Sequence, residues 1–321
     1  MGWDTREPGG PDVGGIVSGL VVVGVDGSES SFAAVEAAAR EARARGVGLR
    51  VVHALVWPVT YVLPRPSPGG TSPLGPPPMD PSEDALRKMA EGLVAEAVGR
   101  ARAESTDVEV SHAVVTGEPL TVLEAESRAA ELVVVGSRGL GGFGGLLAGS
   151  TAVHLVAHGR CPVLVVREQP RADGPVVLGV DGSAAGEPAV DFAFATAERR
   201  KAPLVALHAW TTWNAPLPAP QDASAPYANP PGALAEEEET LLSEALAGYR
   251  ARYPDVVVER RVVHGRTREA LIDASRSAQL MVVGARGRGG FAGLLLGSVS
   301  QAVLHHAHCP VAVVRAAGAQ H

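Results

Sequence analysis

The chain predicts an α/β protein of two tandem domains, each a doubly wound parallel sheet with helices on both faces. Three observations predict it. At roughly 150 residues per domain, a length of 321 residues suggests two domains. The two halves repeat one another. Within each half, short Val-rich runs alternate with Ala-rich stretches, the pattern of buried parallel strands and covering helices.

The repeat can be read off directly. LVVVGVDGS at 20–28 returns as VVLGVDGS at 176–183, which aligns Asp26 with Asp181 at an offset of 181 − 26 = 155. VVVGSRGLGGFGGLLAGS at 133–150 returns as MVVGARGRGGFAGLLLGS at 281–298, at an offset of 148 and with thirteen of eighteen positions identical. CPVLVVR at 161–167 returns as CPVAVVR at 309–315, again at 148. His53-Ala54 pairs with His208-Ala209 at 155, so seven residues (155 − 148) are lost between there and the late motifs. Pro-rich stretches at 57–81 and 214–231 occupy that interval. The period is far above that of solenoid repeats. The expected units are therefore two homologous domains, 18–168 and 174–316, behind a disordered leader at 1–17.

The elements follow in order. Leu20–Val25 is a continuous apolar strand. Ser30 or Ser31 is a candidate cap for the Ala-rich helix after it, and Gly46 ends that helix. Leu49–Val56 is the second strand; nine prolines in the next stretch exclude helix and central strand. A helix is expected from about 84 to 102, then an edge-like strand around 108–115. Pro119 suits the first turn of the next helix. Leu132–Val135 is a strand leading into a glycine-rich loop; Ser150 caps a short helix that Gly159 ends, and Val163–Val166 closes the domain. The second half repeats this order. The closing strands, Val163–Val166 and Val311–Val314, are edges able to pair, and the domains are expected to pack through them as a pseudo-dimer about an internal two-fold.

Composition narrows the function. The charge balance, 28 − 35 = −7, lacks the basic footprint of a nucleic-acid binder or a polybasic membrane anchor. No apolar run approaches the roughly 18–20 residues of a spanning helix, and the N-terminus has no signal-peptide pattern. Two cysteines exclude a disulfide scaffold. The expectation is a cytoplasmic protein that touches neither membrane nor nucleic acid.

Chemistry concentrates in Gly136-x-x-Gly139, nine residues, Gly149-Ser150, and its twin Gly284-x-x-Gly287, nine residues, Gly297-Ser298. Each loop leaves the carboxyl end of a parallel strand, where open α/β sheets bind ligands. Glycines let backbone approach a ligand closely. The helix opened by Gly149-Ser150 offers free N–H groups and a positive dipole end to a phosphate. Asp26 and Asp181 follow the first strands on the same rim, placed to hold a ribose hydroxyl or a metal-bridged phosphate, or to cap the first helix. A ligand-free glycine turn explains the glycines singly, but not thirteen identities in eighteen positions.

Other readings fit less well. Gly139–Gly144 matches G-x-G-x-x-G, but follows the fourth strand rather than the first. Gly144–Thr151 resembles a P-loop with Ser150 in place of the lysine. His154 and His158, and His305, His306 and His308, sit at helix ends, where histidine is favourable without any metal. His53 and His208 read as packing or support, and Cys161 and Cys309 as buried strand starts. No nucleophile–His–acid set and no metal cluster is legible.

These motifs resemble the universal stress protein family: V-V-G-V-D-G-S at the first strand, G-x2-G-x9-G-S after the fourth, and the closing C-P-V-x-V-V-R strand. The resemblance implies a five-stranded parallel sheet of order 3-2-1-4-5, of the adenine nucleotide alpha hydrolase-like type. It also implies one ATP per domain, with Mg2+ as a candidate companion. By position, Gly24 and Asp26 lie under ribose and adenine, and Ala54 offers backbone hydrogen bonds to adenine. Gly136, Ser137, Arg138, Gly139, Leu140, Gly141 and Gly142 wrap ribose and phosphates, and Gly149, Ser150 and Thr151 hold the outer phosphates. The second site comprises Gly179, Asp181, Ala209, Gly284, Ala285, Arg286, Gly287, Arg288, Gly289, Gly290, Gly297, Ser298 and Val299. The resemblance implies a nucleotide-dependent regulator of stress response acting through an unidentified protein partner or a change of oligomer. A slow ATPase or phosphotransferase, and a scaffold with vestigial sites, are the alternatives.

Overall fold

The computed structural model describes residues 19–56, 83–139, 149–167, 173–211, 233–288 and 295–316. The first half runs β1 (Leu20–Gly24), α1 (Glu29–Arg45), β2 (Leu49–Leu55), α2 (Glu83–Glu104), β3 (Val110–Thr116), α3 (Pro119–Glu126), β4 (Ala130–Gly136), α4 (Ser150–His158) and β5 (Val163–Val166). The second opens with β6 (Val176–Gly179), a 3-10 turn (Ala184–Gly186), α5 (Glu187–Arg200) and β7 (Leu204–Trp210). It continues with α6 (Ala233–Ala245), α7 (Tyr249–Arg252), β8 (Val258–His264), α8 (Thr267–Ala274), β9 (Leu280–Gly284), α9 (Ser298–His306) and β10 (Val311–Val314). The leader and both Pro-rich stretches lie outside the described residues.

Strands β1–β5 are parallel in the order 3-2-1-4-5, and β6–β10 repeat that order. The two closing strands then pair with each other, antiparallel, with Val311 opposite Val165 and Val313 opposite Val163. The result is one ten-stranded sheet, β3-β2-β1-β4-β5-β10-β9-β6-β7-β8. What the sequence marks as two edges is therefore a seam. Every residue of β5 and β10 is buried, as fully apolar four-residue strands require. The outer edges are β3 and β8, where polar residues such as His112, Glu259 and Arg260 face water.

Period-two alternation divides the core between the sheet faces. Val21, Val23, Leu49, Val51, Leu132 and Val134 point to the face covered by α1, α2 and α5. Val22, Val52, Val133, Val135, Val163 and Val165 point to the face covered by α3, α4, α8 and α9. Both layers cross the seam without interruption. Among the described residues, no helix is long and apolar enough to cross a membrane.

Two caps differ from expectation. Ser28, not Ser30 or Ser31, caps α1: its backbone is extended and its hydroxyl accepts from Ser31 N–H at 3.2 Å. Ser30 and Ser31 already lie inside the helix and are buried. Gly149, not Ser150, is the N-cap of α4, and it makes no side-chain cap bond. Gly46 ends α1 in the left-handed conformation (φ 69°), and Pro119 opens α3.

Candidate functional site

Each half has its switch point where β1 or β6 lies between strands that run to opposite sides of the sheet. In the first half, the chain leaving β1 makes a tight turn: Asp26 Oδ1 accepts from Ser28 N–H at 3.0 Å and from Ser28 Oγ–H at 2.6 Å. The carboxylate thus orients the serine that caps α1 rather than capping the helix itself. The second half repeats this, with Asp181 Oδ1 accepting from Ser183 N–H at 3.0 Å and its hydroxyl at 2.8 Å. Ser183 then accepts from Gly186 N–H.

The glycines of the loop after β4 have separable reasons. A Cβ at Gly139 would stand 2.5 Å from Asp26 Oδ2, and one at Gly287 would overlap Asp181 Oδ2. The second glycine of each motif is therefore small because the aspartate lies against it. Arg288 N–H donates to Asp181 Oδ2 at 2.7 Å, tying loop to carboxylate. A Cβ at Gly136 would come within 2.7 Å of the Ser30 carbonyl, whereas one at Gly284 meets nothing closer than 3.0 Å. Gly24 is small for a different reason: Leu123 of α3 packs where its side chain would be, at 2.7 Å. Gly179 faces Leu271 in the same way, less tightly.

The third glycine behaves differently. Gly149 N–H donates to the Ser137 carbonyl at 2.7 Å, and Gly297 N–H donates to the Ala285 carbonyl at 2.8 Å. Each bond ties the residue just after the strand to the start of the helix. Yet a Cβ at Gly149 would meet only ordinary contacts, the nearest at 3.6 Å. Packing among the described residues does not demand glycine there. Among the described residues, helices α4 and α9 both begin without a side-chain cap, which leaves their first N–H groups suited to another acceptor. Ser150 and Ser298 are exposed at these helix starts, and Thr151 and Val299, one position on, are half-buried.

Ala54 and Ala209 lie one strand away. The Leu55 carbonyl accepts from Gly117 N–H, so by alternation the backbone groups of Ala54 turn away from β3 and toward the end of β1. The Ala209 carbonyl already accepts from the Thr267 hydroxyl at 3.2 Å. The first half has Pro119 at that position and so no hydroxyl. Arg138 and Arg288 are exposed, and Arg286 is half-buried. Leu140, Gly141, Gly142, Gly289 and Gly290 lie outside the described residues.

The histidines and cysteines have local partners. His53 Nδ1 lies 2.9 Å from the Val25 carbonyl, and His208 Nδ1 lies 2.7 Å from the Val180 carbonyl. Each ring bridges two strand ends beside the crevice. His154 stacks on His158 and approaches Glu124 at 3.5 Å. Among the described residues, no group of three or more His, Cys, Asp or Glu is placed to hold a metal. Burial pushes the thiols of Cys161 and Cys309 up to about 12, which leaves them unreactive.

Sequence reasoning missed four contributors. Ser28 and Ser183 hold the aspartate turns, and Ser30 accepts from Arg138 N–H at 3.3 Å. Glu238 of α6 meets His208 Nε2 at 2.6 Å. The serines stand in the quoted D-G-S motif or just after it and were open to notice; Glu238 depends on how α6 packs, which no local pattern states.

A family model described as the universal stress protein family matches residues 20–167 and 174–315. A universal stress protein of Mycobacterium tuberculosis is 39% identical over 313 residues, covering 92% of this chain and 94% of that protein. One from Mycolicibacterium smegmatis is 39% identical over 305 residues, covering 92% of this chain and 96% of that protein. The crystal structure of a universal stress protein from Archaeoglobus fulgidus superposes with a TM-score of 0.65 at 17% identity, covering 92% of this chain and 98% of that one. That last likeness shows the fold alone.

Proposed function

The chain belongs to the universal stress protein family, and on that premise we propose that it is an ATP-binding regulator with one nucleotide site in each of two domains, 18–168 and 174–316. The observation that carries this reading is the third glycine of each motif. Gly149 and Gly297 cap helices without a side-chain cap from the N-cap residue, and a Cβ at Gly149 would clash with none of the described residues. A glycine that packing does not require, at a helix start rich in free N–H groups, suits close approach by a phosphate.

The surrounding residues fit a nucleotide. Ser150, Thr151 and Ser298 add hydroxyls at the helix starts; Arg138 and Arg286 bring positive charge to an otherwise acidic chain. The Ala54 backbone turns toward the crevice, on the side the adenine would take. Asp26 and Asp181, fixed by their serine turns, stand beside the loops where a ribose would lie. Any Mg2+ would arrive with the phosphates, since no cluster of protein ligands is placed for it among the described residues. Bound nucleotide would stabilise the fold by mass action and shift the loop conformations presented to a partner. The seam makes a single chain a pseudo-dimer in this reading.

The test is mass analysis of small molecules released from the denatured purified protein, followed by ATP titration of Gly149→Ala and Gly297→Ala. Adenine nucleotide in the released fraction, and loss of one site in each variant, is expected. Finding no nucleotide and no thermal shift with added ATP overturns the reading.

A further inference from the structure

A second concavity lies away from the strand-end crevices, at the seam between the halves. Its volume is about 430 Å³, within the roughly 300–1,000 Å³ range of small-molecule sites. It is walled by the end of α1, the turn leading into β5, the face of α5 and the end of β10, so each half supplies two of its sides. Four arginines line it: Arg45 and Arg160 from the first half, Arg199 and Arg315 from the second. Its apolar wall includes Phe192 and Pro188.

Among the described residues, only Arg45 of these four forms an ion pair with a carboxylate. Arg45 pairs with Glu41 at 3.1 Å and lies 5.3 Å from the Phe192 ring centroid. Arg199 donates to the neutral Thr196 hydroxyl at 3.3 Å. Arg160 is exposed. Arg315 buries its Nη1 with no hydrogen-bond partner, a costly state for a charged donor. Burial, with Arg286 and Arg160 nearby, holds its guanidinium below the usual arginine range. The one carboxylate lining the cleft, Asp191, is already held by Arg252 at 2.6 Å and by the Tyr253 hydroxyl at 3.2 Å.

The pseudo-two-fold does not reproduce this arrangement. The counterpart of Arg199 is Ala44 (199 − 155), and that of Arg160 is His308 (160 + 148). The counterpart of Arg45 is Arg200 (45 + 155), which is committed to Glu41 at 2.6 Å and Gln279 at 3.0 Å. The counterpart of Arg315 is Arg167 (315 − 148), which donates to the Leu304 carbonyl and also buries one nitrogen, Nε, without a partner. The guanidinium groups that one side of the seam has and the other lacks are therefore Arg160 and Arg199.

We propose that this cleft binds a small organic phosphate, its phosphoryl group among Arg160, Arg199 and Arg315 and its apolar part against Phe192. Three guanidinium groups with no carboxylate ion pair among the described residues match a doubly charged, multi-oxygen anion better than a single carboxylate. Because both halves form the walls, occupancy would pin the seam.

The probe is phenyl phosphate, titrated calorimetrically onto the full chain. One site is expected, weakened at least tenfold by Arg160→Gln and again by Arg199→Gln, and retained in saturating ATP. Arg160 is exposed, so its variant keeps the fold, which circular dichroism verifies. Three results overturn the proposal: no binding; binding displaced by ATP and indifferent to Arg160→Gln, which places the phosphate in a strand-end crevice; or equal binding of benzoate, which removes the preference for phosphate.

Discussion

The two halves share the floor of their crevices and differ in the walls. Both keep the aspartate–serine turn, the glycine against the carboxylate, the histidine bridging to a strand-end carbonyl and the glycine-capped helix. They part at the start of the first helix, which is α-helical from Glu29 in one half and a 3-10 turn from Ala184 in the other. They part again at His208, which has Glu238 as a partner where the first half offers Ala90 (238 − 148). Elements that handle backbone geometry stayed the same; those that tune the surroundings drifted.

The largest expected effect breaks the symmetry at the seam. Glu41 is 5% exposed and bridges Arg45 and Arg200, one from each half. Its counterpart is Thr196 (41 + 155), which cannot carry charge. Glu41→Ala should cost about 3–5 kcal/mol, because it leaves two arginines without their buried partner. Thr196→Ala should cost about 1 kcal/mol. Urea unfolding of both variants measures the difference. Burial alone would raise the Glu41 carboxyl, but Arg200 and Arg45 outweigh it and hold the group below the usual carboxylate range. A depressed folded value means that the stabilisation is complete above the unfolded value of about 4.3 and is lost as pH falls through the folded one. Wild-type melting temperature should therefore fall more steeply below about pH 4 than that of Glu41→Gln.

Next comes the first glycine of each loop. Gly136→Ala forces a Cβ against the Ser30 backbone, and about 1–3 kcal/mol is expected. Gly284→Ala has more room and should cost less than about 1 kcal/mol. Equal melting shifts would erase this distinction between the halves. Glu238→Ala should cost about 1–2 kcal/mol by leaving the buried His208 ring unpaired on one side. His53→Ala, at a more exposed ring, should cost less than His208→Ala in the same chemical denaturation assay.

Smaller still is the hydroxyl difference beside the proposed phosphate positions. Val299→Thr should tighten ATP binding at the second site by about two- to tenfold, and Thr151→Val should loosen the first by a similar factor. Calorimetric titration resolving two sites checks both. The smallest difference expected is none: with thiols pushed up to about 12, Cys161 and Cys309 should resist iodoacetamide equally at pH 8 until the chain unfolds.

Much of this was legible in the sequence. Offsets of 155 and 148 revealed the duplication. The apolar closing strands of each half, VLVV and VAVV, signal strands able to pair, and they pair with each other. Pro119 marked the helix start correctly because proline fits only where an N–H is dispensable. The caps were harder. Ser28, Glu29, Ser30 and Ser31 offer three hydroxyls in four positions, and only backbone dihedrals choose among them. Gly149-Ser150 marks a helix start, but the hydroxyl that normally caps points to Ser150, whereas Gly149 is the N-cap. Glu238 and Arg315 are invisible in the sequence because their surroundings are set by α6 packing and by the opposite half. Long-range placement of this kind has no signature in local periodicity.

The antiparallel pairing of β5 with β10 has a consequence for heredity. A complex assembled from two identical copies must accept every change twice, once in each copy. Here one seam joins two separately encoded halves, so a substitution can be tried on one side while the other continues unaltered. Val299, Thr267, Glu238 and the one-sided arginine cleft are the marks of that freedom.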